Sequence, residues 1–309
     1  MKKVFIDGSS GTTGLRIRER LAARDDIEIM TIDADKRKDI DEKKKFLNNC
    51  DIAFLCLPDD AARESVSMIE NPDVVVFDTS TAHRTDSNWT YGFPELSSKH
   101  YDAVKTSKRI AVPGCHASGF IALVYPLVEA GVLPKDALLS CHSLTGYSGG
   151  GKKMIAEYED DQGDYTKAPR QYGITQQHKH LKEMKAISCI DNEPIFSPIV
   201  SDFYSGMEVT VPLFKQQLNI GYGIDDIKKV YSQKYIGPMV TYNEQLAKDG
   251  FINSNALKTK DCMHIAVYGN DDRMILVAVY DNLGKGASGA AIECMNISMG
   301  ADLTAGLDI

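Results

Sequence analysis

Apolar residues in the first third of the chain fall in short unbroken runs, each followed by a polar turn and then a helix-spaced stretch. "KVFI" (3–6) is such a run, and "LRIRERLAAR" behind it carries Leu15, Ile17, Leu21 and Ala22 on roughly one helical stripe. "IEIMTID" (27–33) closes the unit as a second strand. "DIAFLCLP" (51–58), "VVVFDTS" (74–80) and "RIAVPG" (109–114) are further strands, with "DDAARESVSMIE" a helix between the first two. Strands alternating with helices at this spacing predict an α/β, Rossmann-type, doubly wound parallel sheet.

After residue 115 the rhythm changes. A helix "HASGFIALVYPLVEAG" precedes "ALLSCHSLTG", "GMEVTVPLF" (206–214) and the pair "MHIAVYG" and "RMILVAVYDN", which flank "NDD" as an antiparallel hairpin. This predicts a second, α+β domain. The small-residue helix "GASGAAIECMNISMG" is too short for a domain of its own and is expected to return to the first. The division expected is 1–114 with 285–309, and 115–284.

Charge narrows the partners. The 309 residues carry a net charge of -8, so no general affinity for nucleic acid or anionic membrane is expected. "KKKFL" (43–47) follows acidic residues and reads as a solvated helix face. No run approaches the ~18 apolar residues of a membrane span, and the three apolar residues after Lys2-Lys3 are too few for a signal h-region. Seven dispersed cysteines, an odd number without a C-x-x-C pair, point to free thiols in a reducing cytoplasm. "HKH" (178–180) lacks companions at zinc-like spacing, so no metal is expected.

Between the first strand and helix stands "GSSGTTG". Gly8 permits a tight exit from the strand, Gly11 lets a phosphate approach the backbone, and Gly14 allows helix-on-sheet packing. Ser10, Thr12 and Thr13, with Ser9, add hydroxyl donors. In this position the pattern reads as a dinucleotide site, against a structural turn. Asp33 has two readings, a ribose ligand or an ordinary strand-end residue. Lys36, with Arg37 and Lys38, offers cations for a 2′-phosphate, which favours NADP over NAD.

In "IAVPGCHASGF" (110–120) a strand ends in Pro113-Gly114 and a cysteine opens a helix. A thiol in a first turn meets unpaired N–H donors and the positive end of the dipole, which stabilise thiolate. Cys56, inside an apolar strand, reads as core. A nicotinamide site with a helix-start cysteine suggests one chemistry. Cys115 displaces phosphate from an acyl phosphate, holds the acyl group as a thioester, and presents it for hydride transfer.

"GSSGTTG", "WTYGFPEL", "VPGCHASG", "YSGGGKKM", "HKHLKEM" and "DNLGKGASGAA" occur in that order across nearly the whole chain. Together they resemble the shorter form of the N-acetyl-γ-glutamyl-phosphate reductases of arginine biosynthesis, within the wider aspartate-semialdehyde dehydrogenase-like group. The resemblance implies NADPH-dependent reduction of N-acetyl-L-glutamyl 5-phosphate to the semialdehyde in a homodimer or homotetramer. It implies Cys115 as nucleophile and His180 as acid/base, because "H-x-x-E" then runs from His180 to Glu183. Lys182 replaces a proline common in relatives, so His178 stays as a fallback. His116 adjoins the cysteine, but neighbours on a helix point apart.

The resemblance also lays Gly284, Gly286 and Ala287 against the cofactor; a glycine-rich helix entrance is the other reading. Ser148 and Gly149 offer a small-residue nest for phosphate or cofactor. The anionic substrate needs cations: Arg84 for phosphate and Arg170 for the carboxylate, either of which could equally be a solvated loop residue. His83 has no case of its own. Two alternatives stay open, an aspartyl-phosphate reductase and a cofactor-sensing regulatory protein without catalysis.

Overall fold

The computed structural model describes residues 1–36, 39–160 and 163–309. They form two compact units: Met1–Pro113 with Ala287–Leu307, and Gly114–Gly286 with Asp308–Ile309.

The first unit is built on strands β1 (Lys2–Asp7), β2 (Ile27–Met30), β3 (Ile52–Leu55), β4 (Val75–Asp78), β5 (Thr90–Tyr91) and β6 (Arg109–Ala111). Helices α1 (Thr12–Leu21), α2 (Ile40–Asn49), α3 (Asp59–Ser67) and α4 (Ser98–Thr106) connect them. The order is β2-β1-β3-β4-β6-β5, and every pairing is parallel. Alternation along β1 divides the core. Val4 and Ile6 pack with Ile17 and Leu21 of α1 and with Ala290–Ile297 of the C-terminal helix Gly289–Met299. Phe5 faces the other side, with Leu47 of α2 and Val76. Helices on both faces make the sheet doubly wound, and the last helix does return to it.

Strand β2 is shorter than the strand expected over 27–33. Its ladder with β1 ends at Phe5↔Met30, and the chain then enters a 3₁₀ turn at Ala34–Lys36. Cys56 likewise lies just past β3, partly buried against the core, and burial pushes its thiol up to about 12.

The second unit holds α5 (Cys115–Glu129), β7 (Ser140–Gly146), α6 (Gly151–Asp160), α7 (Asp164–Lys167), β8 (Arg170–Gln171), α8 (His180–Ser188), β9 (Ile195–Ser201), β10 (Met207–Phe214), α9 (Ile224–Lys234), β11 (Val240–Tyr242), β12 (Met263–Gly269) and β13 (Arg273–Tyr280). The sheet runs β11-β12-β13-β10-β7-β9-β8. Strands β12 and β13 form the expected antiparallel hairpin, and β10 pairs antiparallel with both β13 and β7. No helix among the described residues is long and apolar enough to cross a membrane.

Helix α5 is almost wholly buried and contains Pro126. Proline has no N–H to offer the carbonyl four residues back, which is that of Ala122. The Tyr235 hydroxyl donates to that carbonyl at 2.7 Å, and the Tyr231 hydroxyl donates to the Leu123 carbonyl next to it. Tyr235, just past the end of α9, thus replaces the donor that proline removes.

Tyr235→Phe should cost about 1–3 kcal/mol, the penalty for a buried carbonyl left without a donor. In a Pro126→Ala background, where the N–H is restored, the same change should cost well under half as much. Urea midpoints of the four proteins test this; an equal loss in both backgrounds would disprove the compensation.

Candidate active site

The glycine turn between β1 and α1 lies at the carboxyl end of the sheet, where strand order reverses between β1 and β3, the usual ligand position in such sheets. Gly8 has φ 84°, and a Cβ there would lie 2.2 Å from the Cys56 carbonyl oxygen. A Cβ on Gly14 would lie 2.4 Å from the Gly8 carbonyl oxygen, so this glycine admits the turn's own backbone rather than the sheet. Gly11 is the N-cap of α1 in extended conformation and supplies no side-chain cap. Thr12 and Thr13 open the helix, and Ser9 and Ser10 lie in the turn ahead of it.

The turn opens on a cleft of about 260 Å³ lined by residues 5–10, 29–32, Leu57, Arg18 and Lys43. Backbone donors at a helix start, a turn without side-chain bulk and two cations fit a dinucleotide. Lys43 departs from the solvated face expected for "KKKFL". Its side chain is mostly buried and reaches Asp7 Oδ2 at 3.2 Å, and Ser65 donates to the same oxygen. Arg18 enters from α1 with no hydrogen bond or ion pair to any described side chain.

Asp33 and Lys36 are exposed beyond the end of β2 and do not line this cleft; the Lys36 N–H donates to the Asp33 carbonyl. Arg37 and Lys38 lie outside the described residues.

Arg84 is buried. Its Nε donates to the Val112 carbonyl and an Nη to the Thr79 carbonyl, each at 2.9 Å, which braces the end of β6. His83 lies 2.6 Å from Asp78 Oδ2 and stacks on Trp89 at 4.1 Å.

In the second unit Cys115 is the first residue of α5, with Gly114 as N-cap and no acidic residue in the first turn. Three groups fix that turn. The Gly114 N–H donates to Glu183 Oε1 of α8 at 2.7 Å. The Tyr280 hydroxyl donates to the Cys115 carbonyl at 2.5 Å and accepts from the Gly119 N–H at 3.0 Å. It stands between the two groups that an undisturbed helix would join directly. A Cβ on Gly119 would come within 2.7 Å of that hydroxyl, so the glycine makes room for it. On the remaining side, a Cβ on Gly286 would lie 3.2 Å from the Cys115 Cβ.

Gly284 and Gly286 belong to a π-helical turn, Gly284–Ser288, that also contains Ala287 and leads into the C-terminal helix. Their N–H groups donate to Asp281, whose buried carboxyl oxygens also accept from Ser205 and from the backbone of Thr259 and Leu283. Gly284 is obligatory: a Cβ there would sit 2.0 Å from the Lys260 carbonyl oxygen.

Three histidines gather around the start of α8. His180 is its first residue and is buried. His178 accepts the His180 N–H at Nδ1, 3.2 Å away, and the two rings meet edge to face at 4.7 Å. Burial, with Lys179 beside it, lowers the His178 pKa. His116 lies 5.6 Å from His180, ring to ring, with its own nitrogens on Ser143 and Tyr172. No group of His, Cys, Asp or Glu that could hold a metal occurs among the described residues.

The remaining candidates lie further round the same unit. Ser148 is buried and accepts from Asn282 Nδ2 at 3.0 Å, with Gly149 beside it in a 3₁₀ turn. Arg170 is ion-paired with Glu157 at 2.8 Å and lies over the Tyr158 ring. Tyr172, Tyr280 and Ser143 carried no sequence signal. Glu183 served only as a spacing mark, yet it is the residue that grips the helix start.

Comparison with known proteins decides the family. Residues 3–104 match the model for the semialdehyde dehydrogenase NAD binding domain, and 115–282 the semialdehyde dehydrogenase dimerisation domain. The N-acetyl-gamma-glutamyl-phosphate reductase of Sinorhizobium medicae is 43% identical over 97% of this chain and 99% of its own length. That of Brucella ovis is 44% identical over 96% and 99%.

The chain belongs to the N-acetyl-γ-glutamyl-phosphate reductase family.

Its fold is shared more widely. The crystal structure of aspartate semialdehyde dehydrogenase II complexed with ASA from Vibrio cholerae superimposes with TM-score 0.71 at 14% identity, covering 97% of this chain and 98% of that one. Aspartate semialdehyde dehydrogenase with NADP from Candida albicans gives 0.65 at 16%, covering 96% and 98%.

The pH dependence of folding follows from the buried imidazole. Burial lowers His116 from 6.5 to about 3, with His178 a lesser cause. Its contribution to stability is complete above pH 6.5 and is lost as pH falls towards 3, because the unfolded chain takes up the proton first. Between pH 6 and 4, parent stability should therefore fall more steeply than that of His116→Gln, by about 1.4 kcal/mol per pH unit. Parallel slopes in denaturant titrations would rule this out.

Proposed function

We propose that this reductase converts N-acetyl-L-glutamyl 5-phosphate to N-acetyl-L-glutamate 5-semialdehyde with NADPH, through a thioester on Cys115. The observation that carries the reading is a thiol at the start of a buried helix whose first turn is held from three sides, with a histidine cluster at the start of α8.

The Cys115 thiolate attacks the acyl carbonyl, the bond from carbon to the phosphate oxygen breaks, and phosphate leaves with its electron pair. The thioester keeps the acyl carbon at the oxidation level of the acid. When bound, the reduced nicotinamide supplies the hydride that this carbon requires. His180 is assigned the proton that the carbonyl oxygen gains and gives up as the carbon–sulfur bond breaks and thiolate returns. His178, committed through Nδ1 to the backbone of His180, orients that residue.

The buried thiols are poor competitors. Burial pushes Cys50 to about 12 and raises Cys141 and Cys262. Arg84 is assigned to the phosphate and Arg170 to the carboxylate, with Ser148 and Gly149 beside the substrate. Gly284, Gly286 and Ala287 are assigned to the cofactor's nicotinamide end.

For the adenosine end, the cleft residues carry the assignment to NADP. Thr31, instead of an acid, lines the end of β2, and Arg18 offers a guanidinium to a 2′-phosphate. The match to a dimerisation domain supports an oligomer of identical chains, assigned as a dimer or tetramer. No disulfide joins any of the seven cysteines, all of them among the described residues, which suits a cytoplasmic enzyme.

Cys115→Ala should lower turnover at least 10³-fold while NADPH affinity stays within about twofold, since the thiol acts on substrate rather than cofactor. The reverse reaction, followed at the reduced nicotinamide band with phosphate and either semialdehyde, separates N-acetylglutamyl from aspartyl specificity. Normal turnover in the variant would end the covalent mechanism.

Arg18→Ala should raise KM for NADPH about 10- to 100-fold and leave NADH kinetics nearly unchanged, as loss of a charged hydrogen bond to one phosphate predicts. Equal effects on the two cofactors would remove Arg18 from that role.

A further inference from the structure

The first unit keeps an acid where an anionic cofactor is expected. Asp7 is the last residue of β1 and directly precedes Gly8, so its carboxylate stands at the root of the glycine turn. It is 8% exposed and lines the cleft. Two helices fix it there. The Ser65 hydroxyl of α3 donates to Oδ2 at 2.9 Å, and the Lys43 ammonium of α2 reaches the same oxygen at 3.2 Å. The backbone is fixed as well, because the Cys56 N–H donates to the Asp7 carbonyl at 2.8 Å.

An acid in that place works against the turn. Backbone N–H groups at a helix start favour an anion, and a fixed negative charge beside them opposes it. Among the described residues lining the cleft, the charged ones are Asp7, Arg18 and Lys43. Without Lys43, Asp7 would cancel Arg18 and leave the cleft neutral before a pyrophosphate that carries two negative charges. With Lys43 the cleft is net positive, as an anion site requires. The side chains of Lys43 and Asp7 are only 19% and 10% exposed. An ion pair at that depth adds little to folding when set against apolar residues of similar size, so stability is a weak reason for keeping it.

We propose that Lys43 is a positioning residue of the cofactor cleft that acts through Asp7. Its ammonium neutralises the carboxylate, so that the glycine turn can take the pyrophosphate shared by NADPH and NADH. Lys43 thereby sets the affinity for both cofactors alike, whereas Arg18 is assigned the 2′-phosphate that only one of them carries. The proposal rests on the cleft being the dinucleotide site.

The test is direct titration of the full-length protein with NADPH and with NADH, followed by the fluorescence of the reduced nicotinamide. Lys43→Met should raise both dissociation constants by the same factor, about 10- to 100-fold. Lys43→Arg, which keeps the charge, should stay within about threefold of the parent. Adding Asp7→Asn to Lys43→Met should restore most of the loss, an outcome that a packing role for Lys43 does not give. Asp7→Asn alone should tighten both cofactors by about threefold or more, which decides the matter even where Lys43→Met fails to fold. Unchanged constants in Lys43→Met, a loss confined to NADPH, or a loss that Asp7→Asn does not repair would each overturn the proposal, as would unchanged or weaker binding in Asp7→Asn. Thr31→Trp tests the underlying reading separately. Thr31 is exposed and lines the cleft, and an indole there should abolish binding of both cofactors. Undiminished binding in that variant overturns the dinucleotide reading of the cleft. Loss of binding in Thr31→Trp with none in Lys43→Met sinks this inference alone.

Discussion

The first turn of α5 is the constraint on which the thioester chemistry proposed for the second unit depends. A helix start presents N–H donors wherever it happens to be, but a nucleophile needs those donors aimed and held. Here the Gly114 N–H is tied to Glu183, and the Cys115 carbonyl to Tyr280. Gly286 leaves the Cβ just enough room. Each tie comes from a different part of the chain. The sulfur is thus positioned by tertiary structure, and the helix supplies only the field.

Much of the frame was legible because burial on both faces leaves a plain mark. β3, β4 and β6 sit inside the predicted runs, β1 extends its run by one residue at each end, and the hairpin β12–β13 falls where the sequence put it. Strand ends were less legible. The strand expected over 27–33 includes buried Ile32, but only the four residues Ile27–Met30 find partners on β1. Apolar character reports burial, while a strand also needs a neighbour. β5 and β8, two residues each, leave no periodic trace at all.

The site was legible in part, and the misses have a common cause. Cys115 and the glycine turns are marked by local geometry, which sequence records. Tyr280 ends a strand buried along nearly its whole length, so nothing distinguishes it from packing until its hydroxyl is seen inside a helix turn. Lys43 looks like one more surface lysine in a basic run, yet its ammonium lies against Asp7. Helical adjacency argued against His116, and its ring nitrogens do turn away to Ser143 and Tyr172. The fold also brings His180, at the start of α8, to 5.6 Å from its ring.

Strand β13 hydrogen-bonds to β10 along eight residues and to β12 along seven, and it ends at Tyr280 before the Asp281 turn. Because side chains alternate between faces, sliding that strand by a single position would swing the phenol to the far side of the sheet. Fifteen cross-strand partners forbid the slide. The sheet therefore works as a ruler, converting a count of paired residues into the placement of one oxygen atom. Anyone re-engineering this scaffold would have to rebuild two ladders to shift that atom by a single notch.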